Sequence, residues 1–128
     1  MAVLWDIIED VRRRLSEMGC FRSVIIGDGD IPASLMPAAR VHLAAATSDF
    51  STGVPIIIDA TVDVEIVTSP ASEEEDISQL IQNTIETLSQ GEYPYGARVI
   101  RAPKTTGVSS RKNTARITMT IRWAERSE

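Results

Sequence analysis

The chain has one histidine, His42, and one cysteine, Cys20, and these two residues bound the side-chain chemistry open to it. A Ser-His-Asp relay needs an imidazole as its base, so any such site would be built on His42. His42 falls within "AARVHLAAA" (Ala38 to Ala46), where Val41 and Leu43 take the opposite face of a strand. That placement predicts a structural or solvent-facing histidine. Cys20 follows a helix end rather than a helix start and lacks the electropositive setting of a reactive thiol. It reads as a small half-buried residue. With one cysteine no Cys/His cluster for zinc can form.

Glycine and acidic motifs also fall short of a ligand site. "GDGDIP" (Gly27 to Pro32) has the first two glycines of a dinucleotide loop, but the third is missing and Pro32 stands where a helix should have begun. Asp28 and Asp30 are spaced like the start of a calcium loop, yet the later ligands and the bidentate glutamate are absent. Both observations favour a tight turn. "PKTTG" (Pro103 to Gly107) carries a Lys-Thr pair, but Pro103 replaces the glycine that precedes the lysine in a P-loop. The run Glu73 to Asp76 suits the positive end of a helix. The sequence therefore predicts no catalytic residues, no cofactor and no metal site.

The clearest pattern is structural. In "ATVDVEIVTS" (Ala60 to Ser69), Ala60, Val62, Val64 and Ile66 share one face, and Thr61, Asp63 and Glu65 share the other, with Asp59 just before them. In "ARITMTIRW" (Ala115 to Trp123), Ala115, Ile117, Met119, Ile121 and Trp123 oppose Arg116, Thr118, Thr120 and Arg122. One polar face is acidic and the other basic. Two explanations stand side by side. If the strands pair, each opposite-charge couple across the ladder contributes roughly 0.2–1 kcal/mol. Alternatively the faces meet a neighbouring copy, where charge complementarity sets register and partner.

These strands need a scaffold, and the rest of the sequence supplies one. The chain has 128 residues, 43% hydrophobic and 24% charged, with a net charge of -5. That fits a single domain, residues 1–128, with its own core. The acidic balance argues against non-specific binding along nucleic acid, and no sequence-specific nucleic-acid contact is expected. No segment approaches the ~20 apolar residues of a membrane span, and the amino terminus lacks a signal-peptide pattern. A cytoplasmic, soluble protein is expected.

Leu4, Ile7, Ile8, Val11, Leu15 and Met18 recur at helical spacing, which predicts a helix over 2–18 with Gly19 as its stop. Asp6, Glu9 and Asp10 early and Arg12, Arg13 and Arg14 late complement its dipole. A short strand covers Phe21 to Gly27, and a turn-rich stretch follows to Pro37. Ala38 to Ala46 reads as a strand, although its alanines also allow a helix. Thr47 to Pro55 reads as a loop, and a long strand runs from Ile56 to Thr68. A second helix covers 73–90, with a Ser72/Glu75 capping box, a stripe of Ile77, Leu80, Ile81, Ile85 and Leu88, and Gly91 as its end. "EYPYG" is a turn, Ala97 to Ala102 a strand, and Pro103 to Asn113 a long basic loop.

The expected fold is α+β, a mostly antiparallel β-sheet with two helices packed on one face. Its core should include Ile7, Val11, Leu15, Val62, Val64, Ile77, Ile81, Ile85, Ile117, Met119 and Ile121. The loop Pro103 to Asn113 should be mobile in the isolated subunit, either as a tolerated insertion or as a partner-binding arm.

This order of elements resembles the tail terminator (tail completion) proteins of long-tailed bacteriophages and prophages. The likeness rests on the leading helix, "IIIDATVDVEIVTS", "SEEEDISQLIQNTIETLSQ", "ARVIRAP" and "ARITMTIRW", and covers nearly the whole chain. It has no invariant motif. The resemblance implies a structural virion protein that assembles as a hexameric ring at the head-proximal end of the tail tube. It also implies a tail tube protein and a head-tail connector protein as partners. The site would be the host bacterial cytoplasm during assembly and then the virion tail. Asp59, Asp63, Glu65, Arg116, Arg122, Arg101, Lys104, Arg111 and Lys112 are then candidates for subunit or partner contacts. The competing expectations are another head-tail connector or tail assembly component, and a small ligand-binding domain or enzyme.

Overall fold

The computed structural model describes residues 2–49, 56–69, 74–109 and 113–125. The elements run α1 (Ala2–Glu17), β1 (Ser23–Ile26), β2 (Ala38–Asp49), β3 (Ile56–Val67), α2 (Glu74–Ser89), β4 (Arg98–Ser109) and β5 (Thr114–Glu125), with short 3₁₀ turns at Ala33–Leu35 and Pro94–Gly96. The five strands form one sheet in the order β1-β2-β3-β5-β4. β1 pairs with β2 in parallel; every other pairing is antiparallel. This is the α+β architecture expected from the sequence.

The long strands follow from their period-two alternation. Ala60, Val62, Val64 and Ile66 of β3 are all fully buried, and Ala115, Ile117, Met119, Ile121 and Trp123 of β5 are buried with them. The helices cover this face. Leu4, Ile7, Ile8, Val11 and Leu15 of α1 join the same core. Gly19 and Gly91 end the helices with φ of +76° and +78°, backbone angles that glycine adopts without a Cβ clash.

On α2 the stripe is centred differently from the sequence reading. Leu80, Thr84 and Leu88 are buried, whereas Ile77, Ile81 and Ile85 are half-buried. Thr84 belongs inside because its hydroxyl donates to Leu80 O at 2.7 Å, so the buried oxygen is satisfied. The Ser72/Glu75 box and the Glu73–Glu75 run involve positions outside the described residues or side chains. The acids of α1 lie beyond its first turn and act through side-chain pairs instead: Glu9 with Arg12, and Asp10 with Arg13 and Arg14.

Arg14 ties the helices together. Its Nε donates to Asp10 Oδ2 at 2.7 Å, and its Nη1 donates to Gln90 O at 2.5 Å. Nη2 donates to Glu92 O, and the guanidinium lies 3.9 Å from the centre of the Tyr93 ring. A cation thus meets carbonyls at the carboxyl end of α2, where the helix dipole favours it. Tyr93 OH donates in turn to Leu88 O at 2.7 Å. Burial pushes the Tyr93 phenol up to about 12, with the Arg14 charge opposing that shift.

Two sequence expectations are corrected along the strands. Ala38–Asp49 is strand throughout, so Thr47 to Asp49 extend β2 rather than open a loop; residues 50–55 lie outside the described set. Leu43 sits opposite the buried Val62, on the face it shares with Val41, yet it is exposed. Most consequentially, β4 continues through Pro103 to Ser109, where a loop was expected. It is an edge strand, which tolerates Pro103 and Gly107, and its pairing with β5 breaks register at three places. Those bulges erase the two-residue alternation by which a strand is read from sequence. Shortening Thr105 to Ser110 would therefore cut into the sheet rather than trim an arm.

Candidate functional site

Among the described residues no helix covers the other face of the sheet, and that face carries the charges of the two alternating strands. The pairing of β3 with β5 is unbroken and sets Asp59 opposite Arg122, Thr61 opposite Thr120, Asp63 opposite Thr118 and Glu65 opposite Arg116. The two alternating strands of the sequence therefore pair with each other. Arg122 holds Asp59 in a two-pronged contact, Nε to Oδ1 at 2.7 Å and Nη2 to Oδ2 at 3.0 Å. That hydrogen bond, with the charges of Arg122 and Arg101 behind it, holds the Asp59 carboxyl below its ordinary range despite some desolvation. The Arg122 guanidinium is correspondingly raised by its bond to Asp59.

The remaining rungs share partners more widely. Thr118 donates to Asp63 at 2.7 Å and lies 2.7 Å from the Thr106 hydroxyl of β4. Arg116 Nε reaches Asp63 only at 4.0 Å and stays half exposed. Glu65 is taken instead by Arg40 of β2, Nη2 to Oε1 at 2.5 Å, while Arg40 Nη1 donates to Gly29 O at 3.0 Å. His42 Nδ1 lies 2.8 Å from Asp28 Oδ1. These two contacts pin the Gly27–Asp30 turn to the flank of β2. Alternation alone could not show that Glu65 pairs with Arg40, because the partner lies on an alanine-rich strand with no charge pattern of its own.

The bulges in β4 have a definite effect on charge. Arg98, Arg101 and Lys104 are spaced three apart, yet they face Arg122, Thr120 and Thr118, spaced two apart. Each extra residue is absorbed by a register shift, so all three cations share the open face. Arg98 and Lys104 have no ion-pair partner among the described residues, and Arg101 has only the longer-range attraction of Asp59. Arg111 and Lys112 lie outside the described residues.

Of the candidate contact residues, Asp59, Asp63, Glu65, Arg116, Arg122, Arg101 and Lys104 are thus gathered on one surface. Cys20 is on the other side of the sheet, near Asn83 of α2, so Cys20 and His42 do not form a pair. The depression beside Asp28, Arg40, His42, Asp63, Glu65 and Arg116 has a volume of about 460 Å³ and is open. Its charged groups already hold one another. Among the described residues no group of three or more His, Cys, Asp or Glu side chains is placed to hold a metal ion. No helix among them is long and apolar enough to cross a membrane.

An α+β fold with one dry, helix-covered face and one charged face is the class this chain belongs to. Its structure is similar to that of a chain in the virion of a native gene transfer agent (GTA) particle, with a TM-score of 0.58 and 14% sequence identity over 98% of each chain. At that identity the likeness is one of fold. The sequence matches no protein-family model and no curated protein.

Proposed function

We propose that this chain is a structural protein of a phage-like virion, and more specifically a tail terminator whose copies close into a hexameric ring on the tail tube. The observation that carries this reading is the end-to-end fold likeness to a chain of a gene transfer agent virion, over 98% of both chains. The charged open face supports it. A ring needs two different patches on one subunit, one meeting the other on the next copy. Asp59, Asp63, Glu65, Arg116, Arg122, Arg101 and Lys104, with Arg111 and Lys112 of the β4–β5 connection, are the residues proposed for subunit and partner contacts. The tail tube protein and a head-tail connector are the proposed partners, met in the bacterial cytoplasm and retained in the virion tail. The role is assembly, not catalysis.

The test is the mass of the purified chain by light scattering, with negative-stain micrographs of the same sample and co-sedimentation with tail tubes. Six-subunit rings that cap tubes are expected. A monomer that neither forms rings nor sediments with tubes would overturn the terminator reading.

A further inference from the structure

The two edges of the sheet differ, and the difference points to a way for copies to join. At one edge β1 shields β2 only from Ala38 to Val41. Beyond it, Leu43 to Ser48, exposed residues "LAAATS" without a charge or a proline, present a strand edge that is open among the described residues. Free edges of this kind are templates for pairing and are normally blunted by charge, proline or bulges. Just beside it, the turn after β1 exposes Asp28 and Asp30, with the Asp28 side chain 91% exposed. At the opposite edge β4 carries more of these devices, Arg98, Arg101, Lys104, Pro103 and three bulges, against the single register shift between Leu43 and Ala45 of β2. One edge is bare and flanked by acid; the other is basic.

The register places the two edges at one height. Reading across the ladders, Arg98, Arg122, Asp59 and Thr47 form one row. Arg101, Thr120, Thr61 and Ala45 form the next, and Lys104, Thr118, Asp63 and His42 the third. The basic stretch 98–104 of β4 is therefore level with the bare stretch 42–47 of β2. Direction agrees as well. β2 and β5 run one way and β3 and β4 the other, so rotating a copy about an axis parallel to the strands brings its β4 alongside β2 in antiparallel sense. Lys104 then arrives at the level of His42 and its partner Asp28. Within one copy Arg98 stands directly opposite Arg122, an unfavourable like-charge pair.

We infer that the residue 98–104 stretch of β4 in one copy docks against the free edge of β2 and the Asp28/Asp30 turn of the next copy. This inference rests on the ring reading and names its contact. The contact is heterologous, so it propagates from copy to copy rather than stopping at a dimer, and it closes into a ring where the rotation between copies closes.

Cysteines placed at Ala45 and Arg101, which share a row, test it in a Cys20→Ser background after the variants are shown to melt like the parent. Across the proposed contact they come within disulfide reach. Oxidation of Ala45→Cys/Arg101→Cys should give a covalent ladder extending to the ring, while either single variant stays monomeric on a non-reducing gel. Lys104→Glu/Arg101→Glu should lower the assembled fraction at least tenfold. A ring by light scattering with no ladder overturns this contact and leaves the ring intact. A ladder of open chains with no closed ring keeps the contact and overturns the ring. Dimers from Ala45→Cys alone show a two-fold β2–β2 pairing and overturn the inference; a protein that is monomeric and gives no ladder overturns both.

Discussion

Both sides of the sheet use arginine against aspartate, but to different effect. On the helix side Asp10 is 8% exposed and Arg14 15%, and Arg14 also reaches two carbonyls and the Tyr93 ring. On the open face Arg122 grips Asp59 with better two-pronged geometry, yet its side chain is 40% exposed. Water competes for the second pair and hardly for the first. The same couple is therefore a clamp where solvent is excluded, because removing one member strands the other. Where solvent reaches it, it contributes little to stability. Stability belongs to the covered side, and the proposed recognition to the open one.

Arg14→Ala is the strongest test of that division. It leaves carbonyls at the end of α2 without their donor and half of Asp10 unpaired, and should destabilise by about 3 kcal/mol in chemical denaturation. Ile117→Ala, in the centre of β5, should cost about 2–5 kcal/mol through the cavity it leaves, and Leu88→Ala should exceed Ile81→Ala because only Leu88 is fully buried. An Ile81 effect equal to that of Leu88 would mean the α2 stripe is misplaced.

Tyr93→Phe should cost about 1 kcal/mol for the lost bond to Leu88 O, and it has a distinctive pH signature. The folded-state value is raised from 10.0 to about 12, so the phenol's contribution is whole below pH 10 and is lost as pH climbs through 12. Alkaline destabilisation in that window should be weaker in the phenylalanine variant. The smallest effect is expected from Asp59→Asn. Its folded value lies below 3.8, so any stability it adds is present above that value and disappears as the pH falls through the depressed one. Melting curves at neutral pH should barely move, while assembly should suffer. A loss of stability as large as that of Arg14→Ala would erase the contrast between the two faces.

What the sequence made legible follows the same physical lines. β3 and β5 announced themselves because strict alternation survives wherever one face is buried and the register is unbroken. Even the pairing of Asp59 with Arg122 was implicit in their matching patterns. α1 was equally plain from its apolar spacing. β4 was not, since its bulges destroy the period, and Pro103 and Gly107 mimic a loop. The Arg14–Tyr93 contact was also hidden. Its partners are far apart in the chain, and a tyrosine in "EYPYG" looks like any turn residue until the helices are packed.

The bulged edge also determines where this fold can change its length. Ile100 is spare chain between Val99, which faces Ile121, and Arg101, which faces Thr120. Deleting it would splice the two rungs together and leave every neighbour where it was. The same deletion anywhere in β3, which runs in register from Ile56 to Val67, would turn the rest of the strand over and put carboxylates among Ile7, Val11 and Leu15. One strand of this sheet has slack and another has none. Sequences descended from a common ancestor should accordingly gain and lose residues along β4 while keeping β3 constant to the residue, and alignments that penalise gaps evenly would be expected to miss kinship between them.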